Sequence, residues 1–65
     1  MYLSISKARK ALIEAGAERV SDDAARALQK YIDARIHEIA KKSAMLSKHA
    51  KRKTVSVSDV ELAAN

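Results

Sequence analysis

The chain has 65 residues with one glycine, no proline and no cysteine, which favours one small helical unit and excludes disulfides and cysteine-ligated zinc. Thirteen lysines and arginines against eight acidic residues give a formal net charge of +5, which favours a polyanionic partner, nucleic acid before membrane. No apolar run approaches the roughly 18 residues of a membrane-spanning helix, so a soluble intracellular protein is the simplest expectation.

A first short helix is predicted from Ile5 to Ala15, where apolar residues recur at helical spacing. Ser4 is a suitable N-cap, because its hydroxyl accepts from the free N–H groups of a first turn. Gly16 is the natural stop, since glycine adopts the left-handed conformation of a helix end without steric cost.

A second, much longer helix is predicted after Ser21, a capping hydroxyl followed by two aspartates that suit the positive end of a helix. Apolar or small side chains then recur every three or four residues from Ala25 to Ala50. Such a helix would be roughly 40 Å long, and two short flanking helices cannot cover its apolar stripe. A chain this short also rarely gains enough stability from burial within one copy. We therefore expect an obligate dimer, or a partner with a similar long helix.

A third short helix is predicted to run to Asn65, after a basic loop at residues 51–54. The β-branched Val55 and Val57 favour a very short extended stretch before it. The start of this helix stays open by two residues, because two capping boxes fit: Ser56 with Asp59, and Ser58 with Glu61. The pattern predicts one all-α domain, residues 1–65, in the order short, long and short helix.

Basic residues cluster in the first helix and in both loops. Six basic residues and no acidic one lie between Glu38 and Asp59, and three basic and no acidic residues precede Glu14. Cations at loops and helix starts can meet successive DNA phosphates. Lysines and arginines also solvate ordinary helix surfaces, and the pattern alone leaves both interpretations open. On the long helix we expect exposed ion pairs among alternating charges, namely Arg26, Lys30 and Arg35 with Asp33 and Glu38.

Two histidines are the only residues that suggest metal binding or acid–base chemistry. His37 and His49 lie more than three turns apart on the predicted helix, and neither has a cysteine or carboxylate at ligand spacing. The sequence therefore predicts no catalytic residue, metal site, cofactor or small-molecule substrate, and the chain is not predicted to be an enzyme.

Three segments together resemble the archaeal histones, in register over nearly the whole chain. They are AGAERVSDDA at residues 15–24, HA followed by RKT at residues 49–54, and DVELA at residues 59–63. The resemblance implies a histone fold, in which two chains form an intertwined handshake dimer with crossed long helices. It implies an architectural chromatin protein, cytoplasmic and associated with the nucleoid, whose dimers wrap and compact double-stranded DNA largely without sequence specificity. The dimers would polymerise on DNA into an extended nucleoprotein coil.

The same resemblance implies DNA contacts from the first helix and both loops. Lys10 would contact DNA from the first helix, with Arg9 as an added cation nearby. Arg19 would point to the minor groove, and Lys53 and Thr54 would contact phosphates.

Other residues would shape the loops and the assembly. Arg52 would pair with Asp59 to brace the second loop within one chain. Leu46, His49 and Asp59 would line the surface where dimers meet dimers. Gly16 leads to a related hypothesis, since a loop position without a side chain would let adjacent turns of a coil approach closely.

The chain departs from the family pattern at Ser4, where proline is common, and at Lys51, where glycine is common. A left-handed Lys51 would cost on the order of 1 kcal/mol. The predicted third helix also lacks the basic and aromatic tail of many relatives, which weakens the expectation of firm stacking between dimers.

Two other functions stay open. One is a protein-binding histone-fold subunit of a heterodimeric complex like those of transcription factors, with a paralogue sharing the dimer. The other is a basic amphipathic peptide that folds only on anionic lipid, against which the two loops and three capped helices argue.

Overall fold

The computed structural model describes residues 1–65 as three α-helices and no strand. The helices are α1 (Ile5–Glu14), α2 (Asp22–His49) and α3 (Val57–Ala64), so the predicted order of short, long and short helix is confirmed. The chain divides into two compact units, Met1–Ala34 and Arg35–Asn65, and each takes part of α2. None of the helices combines the length and apolar character that crossing a membrane requires.

Helix α1 begins and ends as its sequence predicts. The Ser4 hydroxyl accepts a hydrogen bond from the backbone N–H of Lys7 at 3.1 Å. At the other end Gly16 takes a φ of 119°. The Gly16 N–H donates to the carbonyl of Ile13, and the Ala17 N–H donates to the carbonyl of Leu12, both at 3.0 Å. This pair of bonds is a Schellman motif with glycine in the left-handed position.

Helix α2 is also capped at both ends. The Ser21 hydroxyl accepts from the N–H of Ala24 at 3.0 Å. Past His49 the N–H of Lys51 donates to the carbonyl of Lys48 at 2.9 Å, and the N–H of Arg52 donates to the carbonyl of Ser47 at 3.0 Å. Lys51 has a φ of 57°, so the expected left-handed lysine at this helix end is confirmed.

Helix α3 begins at the earlier of the two predicted starts. Ser56 is its N-cap, and the Asp59 carboxylate accepts from the Ser56 N–H at 2.8 Å. The expectation of a short extended stretch reaching Val57 is wrong, because Val57 is the first residue of the helix. The Asp59 carboxylate stabilises a turn that starts here, and this outweighs the β preference of one valine.

The segment before α1 is held by two polar residues of α2. Asp33 accepts from the backbone N–H groups of Tyr2 at 3.0 Å and Leu3 at 2.7 Å. The Gln29 amide donates to the Leu3 carbonyl at 3.0 Å. The expectation that Asp33 forms an exposed ion pair is therefore wrong, because its carboxylate satisfies two backbone donors outside any helix.

The other charges of α2 do form exposed pairs. Arg35 lies 3.0 Å from the Glu38 carboxylate, and Lys42 lies 3.5 Å from the same oxygen. Arg26 lies 3.9 Å from Asp23, one turn earlier. Exposed pairs of this kind contribute little to stability, typically less than about 1 kcal/mol each.

Neither unit has a core of large side chains. The buried apolar residues are Ala8 and Ala25 in the first unit and Ala63 in the second, and no large side chain is fully buried. Large apolar residues stay exposed in both units: Met1, Tyr2, Ile13, Tyr31 and Ile32, then Ile36, Met45, Val55, Val57, Val60 and Leu62. Much of the predicted stripe on α2 is therefore uncovered in a single chain.

Candidate nucleic-acid interface

The second loop, residues 50–56, is braced by an ion pair. Arg52 donates to Asp59 through both terminal nitrogens, at 2.9 and 2.7 Å, and also to the carbonyl of Thr54 at 3.1 Å. Asp59 is only 5% exposed. Two parallel N–H···O bonds fix the orientation of both groups, and the loop is thereby tied to the first turn of α3.

A buried serine on α2 completes this brace, and sequence reasoning missed it. The Ser47 hydroxyl lies 3.1 Å from the carbonyl oxygens of both Arg52 and Thr54. Ser47 occupies the inner face of the helix, where the sequence offers only a small side chain at helical spacing and no sign of its partner. These contacts hold the loop backbone, while the side chains of Lys53 and Thr54 stay exposed.

The brace predicts a specific response to acid. The bonds from Arg52, and next the Ser56 backbone N–H, hold the pKa of Asp59 well below its usual range. A carboxylate with a lowered folded pKa stabilises the fold above its unfolded value of about 3.9, and this stabilisation is lost as the pH falls towards the folded value. We expect Asp59→Asn to lower the melting temperature by several degrees at pH 7, and the gap from the wild type to shrink below about pH 4.

Thermal unfolding followed by circular dichroism at a series of pH values measures this gap. Asp23→Asn is the matched control, because the Asp23 side chain is 98% exposed and its ion pair spans 3.9 Å. It should change the melting temperature little at any pH. A gap for Asp59→Asn that stays constant from pH 7 to pH 3 would contradict the prediction.

In the first unit, Arg9 has a structural role that its sequence position did not reveal. Its guanidinium donates to the carbonyl of Val20 at 2.6 Å and pairs with the carboxylate of Asp22. It thus ties α1 to the end of the first loop and to the start of α2. The sequence pattern showed a cation in a basic cluster, and a partner thirteen residues away left no local signal.

The two other cations of the first unit are more accessible. Lys10 lies 4.0 Å from Glu14, and its side chain is 75% exposed. Arg19 is exposed in the first loop. Beside them Gly16 faces open space, since a Cβ added there would meet no atom within 4 Å. The cations of this unit best able to reach an external anion are therefore Lys10 and Arg19.

Two of the three residues expected where dimers meet lie together in the second unit. Leu46 and His49 line an apolar cavity of about 260 Å³, with Lys42, Met45, Leu62 and Ala63. Asp59 is not part of this lining. Its Oδ2 accepts from Arg52, from the Ser56 N–H and from the Ser56 hydroxyl, whereas Oδ1 accepts only from Arg52. No group of three or more His, Cys, Asp or Glu residues is arranged to hold a metal ion.

A second apolar cavity of the same unit opens beside the middle of α2. It measures about 400 Å³, and Ile36, Ile39, Ala40, Ser43, Val55 and Val60 line it. Its α2 residues belong to the apolar stripe of the sequence. Such a concave apolar surface is the complement of another apolar element.

Comparisons with known proteins agree with these features. Residues 10–64 match the family model of the TATA box binding protein associated factors, TAF. The chain is 46% identical over 61 residues to one subunit of the archaeal histone HAN1 of Thermococcus zilligii, which covers 94% of this chain and 91% of that protein. It is 44% identical over 61 residues to probable archaeal histone 3 of Methanocaldococcus jannaschii, again with 94% and 91% covered. The resemblance drawn from the sequence motifs is therefore confirmed.

Proposed function

Because this chain belongs to the archaeal histones, we propose that it is an architectural chromatin protein whose dimers wrap and compact double-stranded DNA without catalysis. The observation that carries the proposal is the second loop, where Ser47, Arg52 and Asp59 fix the backbone and leave Lys53 and Thr54 exposed. A loop held in this way presents cations and hydroxyls to phosphates without first having to be ordered. The protein would act in the cytoplasm, associated with the nucleoid.

Dimerisation is part of the proposal, with residues 1–65 acting as one histone-fold domain. Its support is the absence of large buried side chains and the exposed stripe on α2. The 400 Å³ cavity beside Ile39 offers a second copy an apolar surface to cover. In a handshake dimer the long helices cross, and each first loop lies beside the second loop of the partner.

The DNA contacts in this proposal are Lys10, Arg19, Lys53 and Thr54. All four are exposed, and none of them takes part in the brace through its side chain. Arg9 remains a candidate with a smaller contribution, because Asp22 neutralises its guanidinium and two thirds of its side chain is covered. Contacts of this kind go to the sugar-phosphate backbone and carry little sequence information.

Higher assembly on DNA is proposed through Leu46, His49 and Asp59. Leu46 and His49 share the 260 Å³ cavity. A histidine from another dimer would have to use the one free acceptor position on Oδ1 of Asp59. Gly16 would face the adjacent turn of the coil, since it lies in open space.

A second candidate function is that of one partner in a heterodimer with a paralogue, in a complex like those of transcription factors rather than in DNA packaging. Two observations favour it: the match to the TAF family and a relative whose name makes it one subunit of a larger protein. Sedimentation of the pure chain separates the two functions. A folded homodimer supports the first, whereas a chain that stays unfolded until a paralogue is added supports the second.

The salt dependence of DNA affinity tests the proposed function. Log affinity should fall linearly with log salt, with a slope of about 0.9 for each phosphate neutralised. Lys53→Ala should reduce that slope by about 0.9. Arg19→Ala should weaken binding more than Lys53→Ala, because a guanidinium in a narrow minor groove meets a focused negative potential.

Fluorescence anisotropy on random-sequence duplexes at several salt concentrations gives both quantities. Lys30→Gln is the control, since it removes one charge from an exposed position of α2 outside the loops. It should leave the slope nearly unchanged. An affinity for DNA that does not vary with salt would rule out the backbone contacts.

A further inference from the structure

The two Schellman motifs of this chain have different residues in the left-handed position. After α1 the motif places Gly16 at a φ of 119°, and after α2 it places Lys51 at 57°. The hydrogen bonds of the two ends correspond one to one, with lengths between 2.9 and 3.0 Å. The same local geometry is therefore built once with the residue that suits it and once with one that does not.

A lysine in this conformation destabilises the fold. The Cβ atom of an L-residue approaches the following carbonyl when φ is positive, and glycine has no such atom. The Asn side chain tolerates the conformation better than most, but lysine has no local hydrogen bond to offer there. A strained position that persists is a reason to ask what its side chain does.

The Lys51 ammonium group is available to an external anion. Lys51 is exposed, and it takes part in none of the ion pairs of the structure. No acidic residue lies between Glu38 and Asp59, and Asp59 is already paired with Arg52. Its charge is therefore not compensated within the chain.

The backbone at Lys51 is also well fixed. Its N–H is bonded to Lys48, and the next residue, Arg52, is bonded through its N–H to Ser47 and through its side chain to Asp59. The side chain consequently projects from a rigid point two residues before Lys53. A cation held in this way loses little backbone entropy on meeting a phosphate.

We propose that Lys51 is a further phosphate contact of the second loop, retained in a left-handed position where glycine would make the protein more stable. This inference rests on the proposed DNA binding. It adds one charge contact to those of Lys53 and Thr54.

The substitution Lys51→Gly tests it, because the two readouts should move in opposite directions. Without DNA, and at equal protein concentration, the melting temperature should rise by a few degrees, since the strain is removed. On DNA, the slope of log affinity against log salt should fall by about 0.9, corresponding to one phosphate contact. Lys51→Asn should show the same loss of slope with a smaller rise in melting temperature.

Lys30→Gln again serves as the control for the loss of one positive charge. Its slope should stay close to that of the wild type. Should Lys51→Gly bind DNA with the wild-type slope, the phosphate contact is overturned while the salt-dependent binding of the wild type still supports the proposed function. A wild type that fails to bind DNA at all overturns the proposed function itself. A lower melting temperature for Lys51→Gly overturns the assignment of strain.

Discussion

Replacing Ile39 with aspartate is expected to unfold the protein rather than to give a folded monomer. Ile39 lies near the middle of α2 and lines the 400 Å³ apolar cavity with Ile36, Val55 and Val60. In the proposed dimer this cavity is covered by the second copy, so a carboxylate at residue 39 would be buried without a partner. Such a group costs several kcal/mol, which is comparable to the whole stability of a domain of this size.

Far-UV circular dichroism and sedimentation measure this result. Ala27→Asp is the matched control, because it adds the same charge at an exposed position of the same helix. It should lose less than about 1 kcal/mol, mainly through the lower helix propensity of aspartate. A variant at Ile39 that sediments as a folded monomer would refute the obligate dimer.

The helices could be predicted from sequence because their signals are local. Ser4, Ser21 and Gly16 act within one turn of the helix end that they define. The start of α3 is the exception that shows the limit. Two capping boxes were compatible with the sequence, and the choice between them depends on Asp59, which is held in place by Arg52 from the loop.

The contacts that could not be predicted join residues far apart in sequence. Ser47 with the second loop, Arg9 with Asp22, and Asp33 with the segment before α1 all depend on how the chain packs. A short polar side chain shows the same spacing whether it faces solvent or a buried carbonyl. For Arg52 with Asp59, the family resemblance supplied a pairing that spacing alone would not have given, and the two groups lie 2.7 Å apart.

The DNA-facing residues remain proposals for a related physical reason. Exposure of Lys10, Arg19 and Lys53 is compatible both with a phosphate contact and with an ordinary solvated surface. What distinguishes the second loop is its rigid backbone. The brace costs a buried ion pair and a buried serine, and neither is needed to expose a lysine to water.

Disrupting the Leu46 and His49 surface is expected to abolish assembly beyond the single dimer. A double variant, Leu46→Glu with His49→Ala, places a carboxylate in the apolar cavity and removes the imidazole beside it. A self-complementary surface on a two-fold axis carries each change twice, so the effect on the contact between dimers is doubled. Asp59 is left intact in this variant, because its loss would release Arg52 and disturb the loop as well.

Nuclease digestion of reconstituted protein on long DNA reads out the assembly. The wild type should yield a ladder of protected fragments that grows by a constant step, and the double variant should protect only the shortest fragment. Circular dichroism and binding to a short duplex must first establish that the variant keeps the dimer fold and the affinity of one dimer, since Leu46 is half-buried within its own unit. Ala27→Glu, which adds the same charge at an exposed position of α2, should leave the ladder unchanged. An unchanged ladder for the double variant would mean that dimers meet through other residues, and the role proposed for His49 would be wrong.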